Sequence, residues 1–170
     1  MRVALAGTPG TGKTTAADRV ETDLDVVHLN RLVEAEGLTS GVDADRGSWI
    51  ADLEAVGERL AGRDDVLVES HFAHRLDVDR VVVLRCAPAE LKVRLRERGE
   101  PEATVEENAE AEALDLVLAE AVAEHGEDAV YEIDTTDRPP AAVARAVEAA
   151  VAGDREPAAG TVSFADYLAP

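Results

Sequence analysis

A glycine-rich segment near the amino terminus has the residue types and spacing of a phosphate-binding loop. Residues 7–14 are Gly-Thr-Pro-Gly-Thr-Gly-Lys-Thr, which fits the pattern G-x-x-x-x-G-K-[ST]. Glycines allow backbone N–H groups to turn inward around phosphate oxygens, and a helix that begins at the loop adds the positive end of its dipole. We expect Lys13 to reach the β and γ oxygens, Thr14 to offer its hydroxyl to Mg²⁺, and Thr15 to bind near the α-phosphate.

A carboxylate for the metal is expected at the end of a neighbouring apolar strand. Residues 66–68 are Val-Leu-Val, and Glu69, Ser70 and His71 follow them. We expect Glu69 to hold Mg²⁺ or one of its waters and His71 to lie near the γ-phosphate. The alternatives are a carboxylate that merely ends a strand and a histidine that bonds locally. The other histidines, for which we expect structural roles because they show no ligand spacing, are His28, His74 and His125.

Two arginines, Arg94 and Arg98, are four residues apart on one predicted helix and so project from the same face. The planar guanidinium group suits phosphate oxygens, and cations there would neutralise the charge of a transferred phosphoryl group. Arg98 is the stronger candidate because it is nearer the break at Gly99. The alternative is surface pairing with nearby carboxylates, for example Glu90 or Glu102.

The hydrophobic pattern predicts the elements that position these residues. Short apolar strands are predicted at residues 2–6, 26–29, 66–68, 81–84 and 130–133. Helices are predicted at residues 13–20, 30–36, 48–61, 88–98, 104–124 and 139–151, with a loop at 37–47. Strands that alternate with helices predict a three-layer α/β fold of the P-loop NTPase type, in which a parallel five-stranded sheet has helices on both faces.

Composition limits the remaining possibilities. The 170 residues carry 36 Asp plus Glu against 17 Lys plus Arg, a net charge of −19. This length predicts one domain at residues 1–153, followed by a tail at 154–170 that either docks back or binds a partner. The acidic excess resembles that of proteins from salt-accumulating microbes, in which molar salt cuts the Debye length to about 3 Å.

Several classes of protein are excluded on the same grounds. The net charge opposes strong direct nucleic-acid binding. No apolar stretch approaches the ~20 residues of a membrane span, and the start of the chain lacks a signal-peptide layout, so we expect a cytoplasmic protein. A single cysteine, Cys86, can form no internal disulfide and is expected to be a buried filler.

The sequence also narrows the reaction. An Asn-Lys-x-Asp segment is absent, which argues against a guanine-specific GTPase. The small size and the early loop favour a nucleotide or metabolite kinase. A hydroxyl acceptor requires a general base, whereas a nucleoside monophosphate already presents an ionised oxygen. No clear base is available beyond Glu69 and His71, and this favours the monophosphate.

Residues 3 to about 136 resemble the atypical, isoenzyme-six adenylate kinases. The resemblance rests on GTPGTGKTT at 7–15, on Glu-Ser-His at 69–71, and on RLRERG at 94–99 followed by Asn108 and Glu112. It implies transfer of the ATP γ-phosphoryl group to AMP with Mg²⁺, and some ATPase leakage. It further implies a role in small-ribosomal-subunit maturation, with ribosomal protein eleven and pre-ribosomal particles as partners.

The resemblance also implies where the substrates bind. The implied ATP contacts are Gly10, Gly12, Lys13, Thr14, Thr15 and Arg98. A monophosphate-binding region is implied at about 30–52 and a short lid at about 97–107, while the arginine for the acceptor phosphate is Arg31 or Arg46. Two alternatives stay open: a nucleotide-switched ribosome-assembly ATPase in which kinase activity is secondary, and a small-metabolite kinase.

Overall fold

Five parallel strands form the central sheet of the protein. The structure, a computed structural model, describes residues 1–43 and 48–169. The strands are β1 Arg2–Ala6, β2 Asp25–His28, β3 Thr39–Asp43, β4 Ser48–Ala51, β5 Val66–Glu69, β6 Arg80–Arg85 and β7 Val130–Asp134. The helices are α1 Lys13–Ala17, α2 Leu29–Glu36, α3 Leu53–Leu60, α4 Pro88–Glu97, α5 Glu102–Ala113, α6 Leu116–His125 and α7 Pro140–Ala152.

The order of the sheet is β2-β5-β1-β6-β7, and every neighbouring pair is parallel. Apolar side chains on both faces of the strands are covered by helices, as near-continuous apolar strands require. Val33, Val56 and Leu118 bring α2, α3 and α6 onto one face, whereas Ala17 and Val147 bring α1 and α7 onto the other. This arrangement confirms the three-layer α/β prediction.

The segment between α2 and α3 differs from the sequence prediction. The sequence predicts a loop at 37–47, of which residues 44–47 lie outside the described part of the chain, and a helix from Ser48. Instead, β3 and β4 form an antiparallel hairpin in which Val42 pairs with Trp49. Helix α3 begins only after Asp52, whose side chain accepts a hydrogen bond from the backbone N–H of Ala55 at 3.0 Å. Trp49 and Ile50 are residues that favour strands, and Asp52 is the better cap.

The long helix predicted at 104–124 is two helices. Asp115 lies between α5 and α6 with a φ of 56°, a left-handed conformation that Asp tolerates better than most residues. Its carboxylate pairs with Arg85, which gives the break a structural cause. The first of the two, α5, begins at Glu102, two residues before the predicted start at Thr104.

The predicted lid segment, residues 97–107, covers the end of α4, a turn at Gly99 and the first half of α5. Leu91, Leu95 and Val105 pack these two helices together around buried Cys86. The segment thus joins two helices at the carboxyl edge of the sheet.

The C-terminal segment docks against β7. The N–H of Ala158 donates to Val130 O at 2.9 Å, and Ala158 O accepts from the N–H of Glu132 at 2.8 Å. Further along, Tyr167 contacts the Lys92 ammonium. In residues 1–43 and 48–169, no helix is long and apolar enough to cross a membrane.

Candidate active site

The loop between β1 and α1 turns tightly at glycines. Gly10 and Gly12 have φ angles of 93° and 95°, values that side chains other than glycine rarely adopt. A Cβ on Gly10 would lie 2.8 Å from a methyl carbon of Leu91. The loop therefore lies close to α4, with no room for a side chain at Gly10.

Lys13 begins α1 and is 7% exposed. Its Nζ donates to the carbonyl oxygen of Thr8 at 3.0 Å. Burial lowers the pKa of Lys13 to about 8, and the positive charge of Arg98 acts in the same direction, against the opposing charges of Glu69 and Glu112. Little water solvates this ammonium, so phosphate oxygens would be strong partners for it.

Thr14, in the first turn of α1, lies next to Glu69, the last residue of β5. The Thr14 hydroxyl donates to Glu69 Oε1 at 3.2 Å, and Glu69 is buried. Among the residues that the structure describes, no group of three or more acidic, His or Cys side chains could hold a metal. One carboxylate and one hydroxyl fit Mg²⁺, which usually binds few protein oxygens together with substrate phosphates and water.

His28 is a neighbour of Glu69 that sequence reasoning missed. Its Nδ1 lies 2.8 Å from Glu69 Oε2, and its Nε2 lies 3.2 Å from Asp18 Oδ1. The register of β2 and β5 sets His28 beside Glu69. The sequence contains one indication of this contact, since both residues end apolar strands. Because the carboxyl ends of parallel strands meet at one edge of the sheet, the two side chains could have been expected to lie close together.

A cavity of about 130 Å³ lies between the loop and the ends of β2 and β5. Among the described residues it is lined by Pro9, Gly10, Gly12, Lys13, Thr14, Asn30, Glu69, His71 and Arg98. The structure places His71 here, exposed, with its ring edge-on to Phe72 at 5.1 Å. Asn30 accepts a hydrogen bond from the Ser70 hydroxyl at 2.9 Å.

A second cavity of about 340 Å³ lies between the loop, α4 and the start of α7. The described residues that line it are Gly10, Thr11, Gly12, Thr15, Ala16, Arg94, Glu97, Arg98, Thr135, Arg138, Pro140 and Val143. It shares Gly10, Gly12 and Arg98 with the first cavity, so the two meet at the loop.

The structure separates the roles of Arg94 and Arg98. Arg94 forms an ion pair with Glu90 and donates to Thr135 O at 3.2 Å and to Gly10 O at 3.4 Å. These contacts favour the alternative in which Arg94 pairs with a nearby carboxylate, and they fix α4 to the loop. Arg98 is exposed, lines both cavities, and has no ion pair with a carboxylate in the described part of the chain.

Of the two arginines that the resemblance offers for the acceptor phosphate, the structure describes only Arg31. Arg31 is exposed on α2 and, within residues 1–43 and 48–169, is not among those lining either cavity. Arg46 lies outside the described residues.

Comparison with known proteins shows a family match over most of the chain. The model of a family described as "AAA domain" matches residues 3–115. A protein of Natronomonas pharaonis is 62% identical over 168 residues, covering 99% of this chain and 100% of its own length. One of Halobacterium salinarum is 64% identical over 169 residues, with the same coverage. One of Methanothermobacter thermautotrophicus is 41% identical, covering 98% of both chains. All three are named "Putative adenylate kinase".

Solved structures share the fold at low sequence identity. A gluconokinase from Sinorhizobium meliloti has a TM-score of 0.58 and 22% identity, covering 89% of this chain and 91% of its own. A sugar kinase from Janibacter has a TM-score of 0.58 and 18% identity, covering 89% and 94%. These similarities confirm the P-loop NTPase fold predicted from the sequence.

Proposed function

This chain belongs to the AAA domain family and to the family of its archaeal relatives, and from that premise we propose that it is an adenylate kinase, ATP + AMP = 2 ADP. The observation that carries the proposal is the convergence of Lys13, Thr14 and Glu69 on one cavity wall. Arg98 stands between this cavity and the larger one. Such a site has one cleft for a donor nucleotide and one for an acceptor phosphate.

The two cavities suggest how the substrates are divided. The ATP triphosphate would follow the backbone of residues 7–12 to Lys13, with its nucleoside in the larger cavity beside Thr15 and Pro140. The AMP phosphate would enter the smaller cavity from the side of Asn30 and His71. Arg98 then faces the region where the phosphoryl group is transferred.

The reaction requires positioning and charge neutralisation more than acid–base chemistry. An AMP phosphate oxygen attacks the γ-phosphorus, the bond to the β–γ bridging oxygen breaks, and its electron pair leaves with ADP. The attacking oxygen is already ionised, so no base is needed. Lys13 and Arg98 stabilise the equatorial and leaving oxygens. When bound, Mg²⁺ held by Thr14 and Glu69 would neutralise β- and γ-phosphate charge.

Residues 97–107 are proposed as the lid. Gly99, with a φ of 81°, lies directly after Arg98 in the turn that joins α4 to α5. A small rotation at this turn would carry the Arg98 side chain toward the phosphates and exclude water. A lid that closes incompletely would let water replace AMP, which is the physical basis of the expected ATPase leakage.

A small-metabolite kinase is the competing enzyme class. A hydroxyl acceptor requires a free base, whereas the Glu69 carboxylate is already engaged by Thr14 and His28. The solved sugar kinases share the fold, but their low identity carries no acceptor preference to this chain.

The decisive experiment is an acceptor panel. Purified protein in molar KCl is given ATP and Mg²⁺ with each nucleoside monophosphate, with gluconate, and with no acceptor, and ADP is measured. We expect the fastest ADP formation with AMP and its loss in Lys13→Ala. Absence of ADP from ATP plus AMP, or an unchanged Lys13→Ala rate, would contradict the proposal.

Arg98→Ala and Arg94→Ala form a matched pair within this assay. Arg98→Ala should lower kcat at least tenfold with the unfolding midpoint unchanged, because Arg98 has no ion pair with a carboxylate within residues 1–43 and 48–169 that the substitution would remove. Arg94→Ala should lower the unfolding midpoint as well, because the loop and Thr135 lose their contact with α4.

The ribosome-assembly role and the cytoplasmic location stay predictions from the sequence. Copurification with pre-ribosomal particles that is lost on addition of ATP would support the assembly role. A chain that never associates with ribosomal protein eleven would count against it.

A further inference from the structure

A buried arginine lies behind the candidate site, at the end of β6. Arg85 is 1% exposed and contacts two buried carboxylates, Glu112 at 2.8 Å and Glu132 at 2.6 Å. It also pairs with the partly exposed carboxylate of Asp115. One cation therefore serves more than one buried anion, and each anion requires further donors.

Glu132 obtains its donors from the C-terminal segment. Its Oε2 accepts from the N–H of Thr161 at 2.7 Å, from the Thr161 hydroxyl at 2.9 Å and from the N–H of Val162 at 3.1 Å. Glu132 therefore links the buried Arg85 to the C-terminal segment.

Glu112 obtains its donors on the opposite side, from β6 and from the phosphate-binding loop. Its Oε1 accepts from Arg85 Nε at 2.8 Å and from the N–H of Cys86 at 3.0 Å. Its Oε2 accepts from the hydroxyl of Thr8, which is 2% exposed. The Thr8 side chain is thus directed into the protein and away from the cavities.

The backbone of Thr8 faces the site. Its carbonyl oxygen accepts from Lys13 Nζ at 3.0 Å and from the Thr11 hydroxyl at 2.9 Å. The peptide that orients the Lys13 ammonium is therefore fixed from behind by a buried carboxylate, which Arg85 in turn holds in place.

We propose that Glu112 is a positioning residue for phosphoryl transfer, acting through Thr8 on the phosphate-binding loop and on Lys13. The inference rests on the proposed kinase function. A charge-assisted hydrogen bond from a buried carboxylate is stronger than a neutral one, so it restricts the Thr8 peptide more than a solvent contact would. Displacing Lys13 by a fraction of an ångström would weaken its contact with the transferred phosphoryl group.

The test removes the hydroxyl and leaves the Arg85–Glu112 ion pair intact. Thr8→Val should lower kcat/KM for ATP about tenfold or more, while KM for AMP changes less than about twofold. Calorimetry should show weaker binding of ATP in the absence of AMP. Thr8→Ser restores the donor and should return both quantities to near the wild-type values. If Thr8→Val does not fold, Thr8→Ala removes the same hydroxyl with a smaller side chain.

Thr161→Val is the matched control, since it removes a threonine hydroxyl from the other carboxylate of the same cluster. It should leave kcat/KM for ATP within about twofold of wild type. The inference is overturned if Thr8→Val keeps wild-type kinetics and ATP affinity, or if both variants lose activity equally. If the wild-type protein makes no ADP, the proposed kinase function is refuted. The effect of Thr8→Val on ATP affinity would then still test whether Thr8 positions the phosphate-binding loop.

Discussion

The ammonium of Lys13 is mostly buried, and this makes its ionisation sensitive to pH near neutrality. Burial lowers its pKa to about 8, and Arg98 contributes in the same direction. Below this pH the free protein carries the charge that phosphate oxygens require. Bound phosphates favour the charged form and so raise the pKa in the complex.

We expect kcat/KM for ATP to fall above pH ~8, approaching tenfold per pH unit, because this quantity follows the ionisation of the free enzyme. At saturating ATP, kcat should persist to higher pH. Initial rates between pH 6.5 and 10 measure both profiles. Lys13→Arg keeps its charge throughout this range, so whatever activity it retains should lack the decline.

The ionisation can also be observed directly, because the chain has only two lysines, Lys13 and Lys92. With ¹³C-labelled lysine, one Cε resonance should titrate near pH 8. The other should titrate above the ordinary value, since contacts with Glu106 and Tyr167 raise the pKa of Lys92. Two resonances that both titrate above pH 10 would refute the assignment.

Unfolding does not explain such a loss of activity. The pKa of Lys13 is lower in the folded protein than in the unfolded chain, so between pH ~8 and 10.5 the unfolded chain binds the extra proton. Stability from this group therefore rises with pH in that window while substrate binding weakens.

At the scale of elements, the segment between α2 and α3 shows how a capping residue fixes a boundary. Asp52 follows the hairpin and accepts a hydrogen bond from the N–H of Ala55, which satisfies one free donor of the first turn. Ser48 lies on β4, before the helix begins.

Asp52→Ala should therefore lower the free energy of unfolding by about 1 kcal/mol, the usual cost of losing such a cap. Ser48→Ala is the control and should cost less than Asp52→Ala, because Ser48 lies on β4 and not at the start of α3. Urea unfolding in molar KCl measures both. A larger cost for Ser48→Ala would place the start of the helix at Ser48 instead.

The elements that could be predicted are those whose cause is local. The strands β1, β5 and β6 are continuous apolar runs, a pattern that predicts strands of a parallel sheet, and the structure buries them on both faces. The break at Asp115 could not be predicted, because the residue that stabilises it, Arg85, is 30 positions away in sequence.

At the scale of the whole molecule, the chain has a net charge of −19, yet cationic side chains line its candidate active site. Many carboxylates lie on exposed helix surfaces, for example Glu110 on α5 and Glu124 on α6. Lys13 and Arg98 line the cavities instead. Salt screens repulsion among exposed charges more than it weakens contacts at buried ones.

We expect both the thermal unfolding midpoint and kinase activity to rise between 0.1 and 2 M KCl, because screening relieves the repulsion. A control variant, Glu110→Gln with Glu124→Gln, changes the net charge from −19 to −17. It should unfold at a higher temperature than wild type in low salt and differ less in high salt. A midpoint independent of KCl would contradict the prediction.

The sequence by itself determined the phosphate-binding loop, its lysine and the alternation of strands and helices, because each depends on residues adjacent in the chain. Tertiary structure decided the partners: His28 beside Glu69, Arg94 on the loop, Glu112 on Thr8, and the tail on β7. These pairs are separated by 26 to 104 positions, from Glu132 with Ala158 to Thr8 with Glu112. Strand order and register bring them together, and hydrophobic periodicity encodes neither.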